Sequence, residues 1–312
     1  MQSLILFGTS LPGTTFILIS AAIGLFAGLW CARPLLQGTT LLEPWAWSLV
    51  SLASVLAVEV IEESVSPRGS SPLYWQPPIR YVAYLSTFCP LAALLGAKRP
   101  QNREWKYIVF AMWIVLATPA ASTMMFPQAE FAASGIWTWL LLVLFCLNLA
   151  NYLPTKFWLA SILFAAAQFV LLHEHVAILN STALVKVLFA NVSTSGQLAC
   201  AICLTLAAVA AAFAFHRLFS RSAATTGVDR VWLDFRNSYG AVWALHIAER
   251  FNTASRAANW NIILQWNGLQ HPPNRDGPPH DEEVAAAIEQ SLHNLLRRFV
   301  ASEWIDARLE SQ

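Results

Sequence analysis

Residues 79–106 read IRYVAYLSTFCPLAALLGAKRPQNREWK. Two signals lie side by side in this stretch. From Tyr81 to Ala97 there is no charged residue, close to the ~20 apolar residues that carry a helix across about 30 Å of hydrocarbon. Lys98, Arg99, Arg103 and Lys106 then crowd the next few positions. A span that runs into a basic loop predicts a cytoplasmic position for that loop. Pro90, inside the span, is expected to kink it and to free a backbone carbonyl that a neighbour must satisfy.

Working outward, six further apolar segments flank the third: 12–32, 42–62, 107–126, 136–153, 157–177 and 196–216. The first holds the uncharged run Thr14–Ala32 with no basic stretch before it, which argues against a cleaved signal peptide. Seven spans with the N-terminus outside place Arg33, Lys98, Arg99, Arg103, Lys106, Lys156, Arg217 and Arg221 inside, against Arg68, Arg80 and Lys186 outside. That asymmetry sets an N-out, C-in topology. Tryptophans agree, with Trp30, Trp45, Trp105 and Trp158 at the inner face and Trp75 and Trp137 at the outer one. Residues 181–195, apolar around Lys186, read as a short interfacial or re-entrant helix.

Charge then divides the chain in two. Of its 312 residues only 12% are charged, about half the usual share of a soluble domain. Residues 1–218 hold 17 of these charges and residues 219–312 hold 20. The expected fold is therefore all-α: a transmembrane helical domain, 1–218, in the lipid bilayer, followed by a cytoplasmic amphipathic tail domain, 219–312. A net charge of +1 gives no basic face for a nucleic-acid partner.

The tail reads as helix–strand–helix. Val228–Asn259 carries an apolar stripe of Val231, Phe235, Tyr239, Val242, Trp243 and Ile247 at helical spacing, and as an aromatic helix it is also suited to a membrane surface. Trp260, Ile262, Leu264 and Trp266 alternate as a strand that Asn267-Gly268 ends. After the loop His271–His280, Asp281–Val300 is a second amphipathic helix, acidic in its first turn and basic in its last. A single strand must find a partner: another subunit, a second copy, or a strand elsewhere in the tail. Asp234, Arg236, Asn237, His246, Glu249 and Arg250 read as a solvated, salt-bridged helix face.

Ionisable groups within a span are costly, so each is a candidate site. Glu59 and Glu63 share one face of the second span and Glu62 lies about 60° from Glu59. The sixth span ends at the same outer level in His173-Glu174-His175, and the seventh starts there with Gln197, Cys200 and Cys203. Glu59, Glu62, Glu63, His173 and His175 thus form the candidate metal site, with ligands suited to Zn, Fe, Mn or Cu. The alternative is that span ends simply tolerate polar residues, with Glu59, the deepest, also a candidate for helix pairing. His173 and His175 point about 200° apart on an unbroken helix and share an ion only if the helix breaks. Cys200-Ala201-Ile202-Cys203 lacks the βαβ context of a redox motif, and His216 has no imidazole partner on another span for a haem. Two glycosylation sequons, Asn180-Ser181-Thr182 and Asn191-Val192-Ser193, fall on the outer loop. Nucleotide-binding, zincin and serine-hydrolase motifs do not occur, and none of these patterns names a cofactor, substrate or catalytic residue.

Two stretches resemble segments of an uncharacterised family of bacterial multi-pass membrane proteins: Thr87-Phe88-Cys89-Pro90 through Gly96-Ala97-Lys98-Arg99-Pro100-Gln101, and Trp232-Leu233-Asp234-Phe235-Arg236 through Glu249-Arg250-Phe251-Asn252. The resemblance implies a bacterial inner membrane, and a basic loop and tail helix packed together on the cytoplasmic side. It carries no activity. The leading expectation is an accessory or structural subunit whose tail, through residues 228–312, docks a protein partner or self-associates. A membrane enzyme or redox protein built on the outer metal site, and a transporter of ions or small molecules using Glu59, are the alternatives.

Overall fold

A computed structural model describes residues 13–65, 74–99, 102–125, 131, 133–176, 201–202, 204–206, 208–212, 227–270 and 282–309, without the side chains of 13–18, 62–65, 102–103 and 282. The chain is an all-α membrane-embedded protein with one small hairpin. Helices α1 (Gly13–Ala32), α2 (Leu42–Val65), α3 (Gln76–Leu85), α4 (Cys89–Leu95), α5 (Asn102–Met125), α6 (Ile136–Tyr152) and α7 (Trp158–Leu172) form the bundle. Among the described residues five windows are long and apolar enough to cross a membrane: Ile19–Leu36, Leu42–Ile61, Gln76–Leu95, Glu104–Met125 and Trp158–His175. Helix α6 is apolar but shorter, 17 residues, and most of the expected seventh span, with the 181–195 segment, the sequons, Cys200, Cys203 and His216, lies outside the described residues.

The third span is the hub. Its window is 72% buried, against 6–39% for the other four. As expected from Pro90 it is not one helix: a 3-10 turn, Ser86–Phe88, separates α3 from α4, with the proline in the first turn of α4. The carbonyls loosened by this break are taken up by neighbours. Ser51 Oγ on α2 donates to Ser86 O at 2.5 Å, and Gln168 Nε2 on α7 donates to Thr87 O at 3.2 Å and to Thr87 Oγ1 at 3.1 Å. Asn148 Nδ2 on α6 completes the chain by donating to Gln168 Oε1 at 2.9 Å. All four helices are thereby tied at the break in a medium that offers no water. Pro119 in α5 denies Val115 O its usual helical donor, and the Thr118 hydroxyl donates to that carbonyl instead.

The tail comprises α8 (Gly227–Ala257), β1 (Ile263–Gln265), β2 (Gly268–Gln270), α9 (Glu282–Leu296) and α10 (Ser302–Leu309). The expected strand is present, and its partner is within the tail: β1 and β2 pair antiparallel, Ile263 with Gln270 and Gln265 with Gly268. Helix α8 supplies further partners. Asn252 accepts from Leu264 N (2.7 Å) and donates to Leu264 O (3.0 Å), and Asp229 Oδ1 accepts from Leu269 N (2.8 Å). The aromatic side of α8 is not laid on a membrane surface. Val231, Trp232, Phe235, Tyr239 and Phe251 are buried in the tail's core beneath α9 and Phe299. The polar face read as solvated and salt-bridged is corrected in its first half: Arg236 and Asn237 are buried, while Asp234 pairs with Arg308 of α10 at 2.9 Å and Glu249 and Arg250 are exposed. The hairpin and α10, which cover that face, leave too faint a trace in sequence to be expected.

Candidate functional site

At the bundle end away from the tail, α2, α3 and α7 bring ionisable groups together. Arg80, read from sequence as an outer-loop charge, is a residue of α3. Its Nη2 lies 3.2 and 3.1 Å from Glu59 Oε1 and Oε2. Tyr84, one turn further along α3, donates its phenol to Glu59 Oε1. Glu59 is 5% exposed, so the carboxylate is buried and compensated by a cation and a hydroxyl, as a buried charge requires. The guanidinium also lies 6.0 Å from the Tyr84 ring.

The two histidines occupy different surroundings. Helix α7 does break at this level, into the 3-10 turn His173–His175. The break does not unite the rings. His175 sits in an aromatic box, 5.7 Å from Tyr84, 6.0 Å from Phe131 and 6.3 Å from Tyr81 by ring centroids. His173 stacks on Phe169, pairs Nδ1 with Val170 O at 2.7 Å, and has Glu174 4.0 Å from its Nε2. Ala133 N donates to His175 O (2.8 Å), closing this end. Glu62 and Glu63 lie on the last turn of α2, and their side chains fall outside the described residues. Among the described residues no three His, Cys, Asp or Glu side chains are grouped to hold a metal. A metal bound by Glu59 would have to displace Arg80, which faces both carboxylate oxygens. A partly open cavity of about 30 Å³ touches Glu59 and is lined otherwise by apolar residues of α1, α2, α7 and the helical segment after residue 200. That is room for little more than a water.

The opposite end is a seam between the tail and three interhelical segments. Thr40 N donates to Phe299 O (2.9 Å), and Ala301 N to Gly38 O (2.6 Å). Tyr239 Oη donates to Phe299 O (2.9 Å) and contacts Thr40 Oγ1, which itself donates to Ala97 O. Arg99 N donates to Arg298 O (2.7 Å), and Trp243 Nε1 to Leu94 O (2.8 Å). From the third segment, Lys156 N donates to Asn237 Oδ1 (3.3 Å), Tyr152 Oη to Ser238 O (3.2 Å), while Pro154 O accepts from Trp266 Nε1 (3.1 Å). Leu41, Leu94 and Ala97 belong to the tail's own core.

The tightest lock is Asn151 of α6. Helix α8 is interrupted at Gly240, whose φ of 77° and ψ of −173° suit glycine alone. There Asn151 Oδ1 accepts from Val242 N at 3.0 Å and Asn151 Nδ2 donates to Tyr239 O at 3.5 Å. One side chain thus serves both new helix ends. Burial raises the Tyr239 phenol above its usual range and keeps it a neutral donor. Desolvation likewise raises the Asp234 carboxyl, with Arg308 opposing it. Sequence reading, which ranked ionisable groups only, passed over Asn148, Asn151 and Gln168. Their signal was amide side chains inside otherwise apolar helices.

Comparison of the chain with known protein families, with curated proteins and with solved structures finds no match.

Proposed function

We propose that this chain is a non-enzymatic accessory or structural component of a bacterial inner membrane, N-out and C-in, whose cytoplasmic tail is a fixed platform for a protein partner or a second copy. The observation that carries the reading is the seam: the tail is fastened to the bundle at three interhelical segments rather than tethered by a linker. Such a platform presents its outer surface at a constant height and angle to the bilayer, as docking requires and as a free tether does not. Val242 and Leu245, one turn apart beyond the α8 break and beside the seam, are 40% and 61% exposed and supply an apolar patch on the tail. The segments that meet the tail carry Arg33, Lys98, Arg99 and Lys156, which supports a cytoplasmic tail through the bias of basic residues to that side. The Glu59–Arg80–Tyr84 cluster serves as a helix clamp in this reading.

Native-state mass measurement of the full chain in mild detergent tests it. A dimer, or a stoichiometric co-purifying protein, lost on L245E is expected. A lone monomer with an ordered tail would overturn it. Stoichiometric bound metal lost on E59Q would instead favour the metal site of Glu59, Glu62, Glu63, His173 and His175.

A further inference from the structure

Beside the seam, Arg99, Arg297, Arg298, Val300, Ala301 and Ser302 line an open groove of about 440 Å³. Three arginines from two parts of the chain are among its lining residues. Arg99 Nη2 donates to Gly38 O at 3.2 Å. The side chains of Arg297 and Arg298 have no hydrogen-bond or ion-pair partner among the described residues. Both are exposed, as is Arg99. Glu303, the next acidic residue along the chain, is exposed and does not line the groove. Lys98, Arg250 and Arg298 also act together on His246 in the same region, opposed there by Glu249, which does not line the groove.

Like charges gathered without a counter-charge are unfavourable unless an anion joins them. The depth of the groove narrows the choice of anion. Arg99 lies four residues beyond Leu95, where an apolar window ends, and Gly38 two residues beyond Leu36, where another ends. Even fully extended, four residues reach only about 13 Å, so the groove opens close to the layer where lipid headgroups lie. Trp30 and Trp45, with Arg33 packed 5.4 and 5.7 Å from their rings, mark the same level. Arginine forks match phosphate oxygens two at a time.

We propose that this groove binds a phosphate group, and that in the membrane its occupant is the headgroup of an anionic phospholipid. Arg297 and Arg298 would hold the phosphate oxygens and Arg99 the groove's far wall, so that a lipid bridges the 98–99 turn and the α9–α10 turn. The site is independent of whether the tail docks a protein.

The test uses the full chain, delipidated in neutral detergent and titrated by native mass measurement with phosphatidylglycerol, phosphatidylcholine and glycerol phosphate. Each arginine near an anionic headgroup contributes about fivefold in affinity, so R297Q/R298Q is expected to weaken phosphatidylglycerol retention by ~30-fold. Phosphatidylcholine binding and the lipid-free melting midpoint should not change, nor should R256Q, a distant arginine, have any effect. Unchanged phosphatidylglycerol retention in R297Q/R298Q overturns the proposal. Glycerol phosphate binding as tightly as the lipid, and lost in the same variant, overturns the lipid as source and leaves a soluble phosphorylated ligand. If the double variant does not fold, R297Q alone should still show the fivefold loss, and no loss overturns the site.

Discussion

Gly240→Ala probes the lock between tail and bundle. A Cβ at this position would lie 2.2 Å from Asn151 Nδ2 and 2.6 Å from its Cγ and Oδ1, so Asn151 must withdraw. Two costs follow. The backbone pair of 77° and −173° lies in a region open essentially to glycine, worth about 1–3 kcal/mol of strain for any other residue. Withdrawal also leaves Val242 N without its acceptor, about 1 kcal/mol for a part-buried donor. A total of about 3 kcal/mol should lower the melting midpoint in detergent by roughly 6–12 °C. A double-mutant cycle separates the two costs. N151A removes both Asn151 hydrogen bonds without straining the backbone at 240. In that background G240A should cost only the backbone strain, so the pair is less damaging than the two singles added. Equal effects of G240A with Asn or Ala at 151, or a shift under 2 °C in the wild-type background, would refute the reasoning.

Other outcomes follow from the same geometry. Removing one member of the Glu59–Arg80 pair strands a buried charge, so E59Q or R80L should each destabilise the bundle by about 3–5 kcal/mol, while E59L/R80L recovers most of that; a double variant no better than the singles would contradict the clamp. Q168L deprives Asn148 and the Thr87 carbonyl of their partner and should cost about 1 kcal/mol, read as a midpoint shift that is smaller in an N148L background, where only the Thr87 bonds remain to be lost. The His246 imidazole is held below its ordinary value of 6.5, chiefly by burial and further by Arg250, Lys98 and Arg298. The unfolded chain therefore takes up the proton first, so stability is full above pH 6.5 and falls as the pH drops through that value. H246Q should flatten this acid limb in a pH series of melts, and an unchanged slope would contradict it.

The bundle was legible because hydrophobic length and basic loops are strong, local signals. The break at Pro90 was legible for the same reason. What escaped depends on partners distant in sequence. Arg80 looks like a loop charge until Glu59, on another helix, is seen to need it. Gly240 hides in α8 because the apolar spacing from Val231 to Ile247 runs on across the break. Gly268–Gln270 is too short to alternate visibly, so β1 seemed to lack a partner, and with that partner found the unpaired strand no longer argues for an outside subunit. At the bundle end away from the tail, residue type pointed to Glu59, His173 and His175, but not to which way each side chain turns.

The seam also has a bearing on biosynthesis. Thr40 N finds its acceptor only at Phe299 O, and Gly38 O its backbone donor only at Ala301 N. At about 5–20 residues per second, a ribosome takes roughly 13–50 s to travel from residue 40 to residue 299. Through that interval the first loops have each other, through Thr40 to Ala97 and Arg99 to Gly38, but lack their backbone partners from the tail. A chain interrupted before Phe299 would therefore carry an unsealed bundle end, a defect at residue 38 that reports an error some 260 positions away. Quality-control proteases that sample exposed loops at the membrane surface would see such a chain as unfinished.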